Sequence, residues 1–131
     1  MATLNAGDRI PELKVTPDKY LTVRYAGASG DFNPIHIDEQ FAQSVGLPGR
    51  ILHGLWSMAQ VARAVGEASG GDPAALRSLS AQFRGMGRLG EEIVVTGTVS
   101  TVADGLASVK LDAVQGSAKL VKGAVAEVRV G

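Results

Sequence analysis

The sequence contains no cysteine. That absence removes disulfide frameworks, thiolate metal sites and a cysteine nucleophile. Aromatic residues make up only 5% of the chain, so small and branched side chains must do most of the packing. Neither charge is in excess, with 13 Lys plus Arg against 13 Asp plus Glu. A balanced chain carries no overall electrostatic footprint for nucleic acid or a membrane surface. No apolar run approaches the roughly 18 residues that a bilayer span needs. The stretch Met1 to Asp8 lacks the charged start and apolar core of a signal peptide, so a soluble cytoplasmic protein is expected. Histidine is scarce, at two.

What is present is a 131-residue chain, 45% hydrophobic, which suits one domain over residues 1–131 with one core. The 17 glycines follow no period, which excludes repeats and low complexity. Ile10, Leu13 and Val15 fit a short strand. Thr16-Pro17-Asp18 reads as a helix start, and Gly30 as its stop near Ser29. Asp31 to Pro34 is expected as loop, since the residue before proline avoids the helical region. Asp38 then caps a short helix from Glu39 to about Val45.

From about Leu52 to Ala68 the period is helical. Leu52, Leu55, Trp56, Ala59, Ala62 and Val65 follow 3–4 spacing, and Met58 and Val61 widen the face. Ser57, Gln60, Arg63 and Glu67 leave a narrow polar stripe, so the helix is expected to be mostly buried. After Pro73 the period changes to two. Leu79, Ala81 and Phe83 alternate with polar neighbours, and Ile93 to Ser100 is rich in β-branched residues. Asp104-Gly105 is a hairpin signal. Gln115-Gly116-Ser117 reads as another turn. Three or four long antiparallel strands with one apolar face need a cover, and the 52–68 helix supplies it. The expectation is an α+β hot-dog architecture, a sheet wrapped around a buried helix. Its exposed edge would be covered by dimerisation.

Two stretches could carry chemistry. Asp31 and His36 are residue types that move protons near neutral pH, five positions apart across a proline-containing segment. The alternative is that Asp31 satisfies loop amides and His36 is an ordinary surface residue. Asn33 either orients a neighbour or serves turn chemistry. Asp38 reads as a helix cap. His53-Gly54 stands seventeen positions after His36, at the start of the apolar helix. A free Gly54 amide there could hold a developing oxyanion, or the glycine could simply permit close packing. His53 reads as structural, and Trp56 and Met58 as core. Two distant histidines without cysteine give no metal-ligand spacing. Ser29 and Ser57 lack a nucleophile-elbow setting. The glycines at 85–90 match neither a phosphate loop nor a dinucleotide fingerprint.

Tyr25-Ala-Gly-Ala-Ser-Gly-Asp31-Phe-Asn33-Pro34-Ile-His36-Ile-Asp38, with Gly46 and Ile51-Leu-His53-Gly54, resembles the MaoC-like hydratases and dehydratases, notably the (R)-specific enoyl-CoA hydratases. The motif covers roughly residues 20–65, and the strand region agrees in order and length. The resemblance implies a catalytic pair at Asp31 and His36, an oxyanion-hole amide at Gly54 and a supporting role for Asn33. It implies reversible hydration of trans-2-enoyl thioesters to (3R)-3-hydroxyacyl thioesters. Asp31 would take the water's proton, and His36 would donate to the α-carbon or orient the water. No metal or other cofactor is expected, and coenzyme A or an acyl carrier protein is the substrate's handle. Like one-domain members, the chain is expected as a homodimer, or as the catalytic subunit beside a paralogous partner. A hot-dog thioesterase is the alternative activity. One departure stands at Arg84-Gly85-Met86-Gly87-Arg88, where members often carry a proline-containing turn near the acyl or pantetheine entrance.

Overall fold

The computed structural model describes residues 3–130. In chain order the elements are β1 (Leu13–Val15), α1 (Leu21–Ser29), α2 (Pro34–Ile37), α3 (Glu39–Ser44), α4 (Gly54–Ala68), β2 (Leu76–Phe83), β3 (Ile93–Ala103), β4 (Leu106–Gln115) and β5 (Ala118–Arg129). The strands form one sheet in the order β1-β3-β4-β5-β2, with every neighbouring pair antiparallel. Asp104 and Gly105 turn β3 into β4 with φ of 54° and 75°, the two positive angles of a tight hairpin turn.

Alternation decides which face of the sheet is dry. Val95 and Val99 of β3, Val109 and Leu111 of β4, and Leu120, Ala124, Ala126 and Val128 of β5 are all buried. They share one core with Trp56, Val61, Ala64 and Val65 of α4. Each fully buried Val or Leu contributes roughly 1.5–3 kcal/mol, so the sheet and α4 stabilise each other. This is the hot-dog arrangement expected from the sequence. Among the described residues no helix is long and apolar enough to cross a membrane.

The structure alters three details. First, α1 begins at Leu21, not near Pro17. Asp18 instead makes a turn, with its Oδ1 2.8 Å from the Tyr20 amide and its Oδ2 2.7 Å from Arg24. The Arg24 hydrogen bond, helped by the Tyr20 amide, holds the Asp18 carboxyl below the usual aspartate range. Second, α4 is rotated from the expected setting. Ser57 and Gln60 are buried, whereas Leu55 and Ala59 are exposed. The helix meets the sheet along one side only, and Gln60 satisfies its buried amide on the Trp56 carbonyl. Third, Phe83 keeps its place opposite the buried Val121 but, at the end of β2 beside Gly54, stays half exposed.

Candidate active site

Local backbone chemistry builds the first half of the site. Gly30 closes α1 in the left-handed conformation at φ 80°, its N–H on the Ala26 carbonyl. The next amide, of Asp31, donates to Ser29 Oγ at 3.2 Å. Asp31 Oδ1 accepts the Asn33 N–H at 3.2 Å, and Asn33 Oδ1 accepts the Ile35 N–H at 3.3 Å. Asn33 therefore caps α2, with Pro34 at its first position. This single turn, which begins directly after the loop, carries His36 back toward Asp31. Asp38 does cap α3, accepting the Phe41 N–H at 3.0 Å.

His36 is buried, at 7% exposure, which removes the alternative of an ordinary surface residue. Its Nδ1 lies 2.8 Å from the Ile51 carbonyl oxygen. A carbonyl only accepts, so Nδ1 carries the proton and the neutral ring presents a lone pair at Nε2. Asp31 Oδ2 lies 3.8 Å from that Nε2. The gap is too long for a direct hydrogen bond, yet one water about 2.8 Å from each atom spans it. The carboxylate is half exposed, so water and substrate reach it.

His53 brings the second half of the site against the first. It is the residue before α4, and its Nε2–H donates to the Asp31 backbone carbonyl at 3.1 Å. Its ring stacks on His36, with centroids 3.8 Å apart, and meets the Tyr25 ring edge-on at 4.7 Å. His53 thus clamps both members of the pair from behind. Its Nδ1 is buried without a partner among the described residues. Gly54 follows as the first residue of the 15-residue α4. Among the described residues no acceptor meets its N–H. That amide, at the positive end of the helix dipole, is free to hold an anionic oxygen.

Asp31, His36 and His53 bring ligand-type atoms within 4.8 Å of one another, a trio that linear spacing does not announce. The rings do not fit one shared ion. Imidazole lone pairs lie in the ring plane, and these two planes stack 20° from parallel. An ion about 2.1 Å from one ring nitrogen would sit out of the plane of the other ring.

One framing residue escapes a sequence reading. Gln115, expected in a turn, is the last residue of β4 and fully buried. Its Oε1 accepts the Arg88 N–H at 2.7 Å, and its Nε2 donates to the Arg88 and Glu91 carbonyls at 2.7 and 3.0 Å. It thereby pins the glycine-rich loop whose Gly87 carbonyl accepts the Leu52 N–H. The available signal is parity, because Gln115 continues the inward series Ala107, Val109, Leu111, Ala113. Gln115→Leu is expected to lower stability by about 2 kcal/mol, since buried backbone groups lose their partners. A urea titration checks this through its midpoint.

An antiparallel sheet around one helix defines a hot-dog protein, here with a carboxylate and an imidazole gathered at that helix's N-terminus. The chain belongs to the family of the MaoC like domain, whose model matches residues 5–119. It is 45% identical over 73 residues to the fatty acid synthase subunit beta of Aspergillus oryzae, covering 54% of this chain and 4% of that one. It is 33% identical over 76 residues to the (R)-specific enoyl-CoA hydratase of Rhodospirillum rubrum, covering 58% of this chain and 53% of that protein. The ChsH1-ChsH2 complex from Mycobacterium tuberculosis contains a chain that matches with a TM-score of 0.87 and 26% identity, covering 96% and 98% of the two chains. The match therefore spans a small part of the synthase subunits and about half of the hydratase.

Proposed function

We propose that this chain catalyses reversible addition of water to trans-2-enoyl thioesters, giving (3R)-3-hydroxyacyl thioesters. The observation that carries the reading is the pair of acceptors, Asp31 Oδ2 and His36 Nε2, 3.8 Å apart. A water between them donates one hydrogen to each and turns its oxygen lone pairs toward substrate. That oxygen attacks the β-carbon, and the C=C electrons move onto the thioester oxygen. The Gly54 amide stabilises the resulting enolate.

The hydrogen bonding of His36 favours it, not Asp31, as the first proton acceptor. Protonated at Nε2, the ring is flanked by the Asp31 carboxylate and the Ile51 carbonyl, both of which stabilise a cation. The imidazolium then returns its proton to the α-carbon on the same face. The water's hydroxyl and proton are thus both placed on the substrate, and the pair is restored. Neither a metal nor a redox cofactor is needed for these steps. Coenzyme A or a carrier protein holds the acyl group. The similarity to the (R)-specific enoyl-CoA hydratase of Rhodospirillum rubrum supports this reading.

A single chain leaves this site open. Phe32, Leu55, Phe83 and Met86 are each at least half exposed around it. Apolar surface of that kind marks an interaction or ligand-binding face, so a second copy or a paralogous subunit would close the site.

The test mixes purified protein with crotonyl-CoA and longer enoyl-CoAs and follows loss of the enoyl absorbance. Formation of the (3R) product supports the reading. Release of free thiol without hydration, seen with a thiol reagent, would identify a thioesterase instead.

A further inference from the structure

The balanced composition hides a local excess of charge. On the sheet face turned away from α4, Arg9, Lys110, Lys119 and Lys122 line one open groove of about 400 Å³. All four are exposed. Thr96, Thr98 and Gly123 lie between them, and Asp112 is the one carboxylate in the lining. Asp112 is already engaged, accepting the Gly123 N–H at 2.9 Å and lying 3.7 Å from Lys119. Four cations less one carboxylate leave a formal excess of three positive charges. The other clefts hold a smaller excess. Arg77 and Arg129 share theirs with Asp104 and Glu127. The cleft beside the site holds Lys19, Arg50 and Arg88 against Glu39, but there Arg50 and Arg88 are paired with Glu39 and Glu91.

The shape says what such a groove can take. Arg9 bridges to Thr98 of β3, Lys110 is on β4, and Lys119 and Lys122 are on β5. The cations therefore spread across three adjacent strands, roughly 10 Å at about 4.8 Å per strand. The groove is open to solvent on one side, and no aromatic side chain lines it. A nucleotide would find neither enclosure nor a stacking platform there. A broad rim of flexible cations suits an acidic protein surface, where complementary charge steers association.

The groove also borders the active-site frame. At Lys119 the backbone packs so closely on Gly85 that a Cβ on the glycine would lie 2.7 Å from the Lys119 oxygen. The same loop, through Gly87, closes on Leu52, the neighbour of His53. We infer that Arg9, Lys110, Lys119 and Lys122 form a docking surface for an acidic carrier protein that delivers the acyl thioester. This rests on the hydratase reading and deepens it, since it makes the handle a protein.

The test uses the full chain and the double variant Lys110→Glu/Lys122→Glu. One enoyl group is presented on a purified acidic acyl carrier protein and on coenzyme A. Binding of the fluorescently labelled carrier protein is read separately by anisotropy at low and high salt. With the carrier-bound substrate, kcat/KM is expected to fall at least about 10-fold in the variant, through KM. The coenzyme A ester should be turned over as before, and high salt should weaken carrier binding to the unmodified chain. Equal losses on both substrates, no loss on the carrier substrate, or turnover of the coenzyme A ester alone overturns the docking surface. A loss confined to the coenzyme A ester also overturns it and assigns the groove to nucleotide phosphates. If neither ester is turned over, the hydratase reading fails. Carrier binding then still decides the docking surface, which is overturned if the carrier does not bind or binds the variant equally.

Discussion

Asp31→Asn and His36→Ala are each expected to lower kcat for enoyl-thioester hydration by about 10²–10⁴-fold, the usual contribution of a positioned acid or base. The two variants fail for different reasons. In Asp31→Asn one oxygen can still accept the Asn33 N–H, so the turn into α2 survives. The other position becomes an amide that donates where the bridging water needs an acceptor. His36→Ala removes the proton acceptor itself. It also strips the Ile51 carbonyl of its donor and His53 of its stacking partner. Some loss of stability, about 1–3 kcal/mol, should accompany the second change. Steady-state kinetics on crotonyl-CoA, with circular dichroism and a thermal melt of each variant, separate chemistry from folding. Near-normal kcat in either folded variant would falsify the pair as the proton-transfer centre.

Gly54→Pro is expected to lower kcat by about 10²–10³-fold, equivalent to about 3–4 kcal/mol of barrier, by deleting one oxyanion donor. This position accepts proline for a local reason. Gly54 is the first residue of α4, where a missing N–H leaves no intrahelical bond unmade. His53, before it, sits at φ −67° and ψ 135°, the conformation that a residue preceding proline prefers. The control is Gly54→Ala, which keeps the N–H and places a Cβ 3.3 Å from the Phe83 ring. Phe83 is half exposed and can yield, so alanine should cost less than about 10-fold in rate. The ratio of the two variants isolates the amide. Equal kcat for proline and alanine would show that the Gly54 N–H does not hold the developing charge.

These residues differ in how far the linear sequence reveals them. The stop of α1 at Gly30 and the cap of α3 at Asp38 are legible because capping is decided within four positions, whereas the single turn α2 between them is not expected from the sequence. Asn33 before Pro34, and Asp38 before its helix, each satisfy amides two or three residues on. Strand alternation and the Asp104-Gly105 hairpin are legible for the same reason, and they carry the hot-dog fold. The long motif around Asp31, His36 and Gly54 names the family without any contact being known.

The rest depends on partners far along the chain. Which side of α4 is wet depends on where the sheet lies, so Ser57 went in and Leu55 came out. His36 is buried because the Ile51 carbonyl, fifteen residues on, meets its Nδ1, and that bond fixes which nitrogen faces Asp31. His53 holds Asp31 by a backbone carbonyl twenty-two residues away. The sequence by itself determined the fold class, the Asp38 cap and the family, since each rests on local pattern or on a contiguous motif. Only the tertiary structure decided the ring tautomer, the anchoring of the loop by Gln115 and the gathering of cations on one sheet face. Each of those joins atoms that only the folded chain brings together.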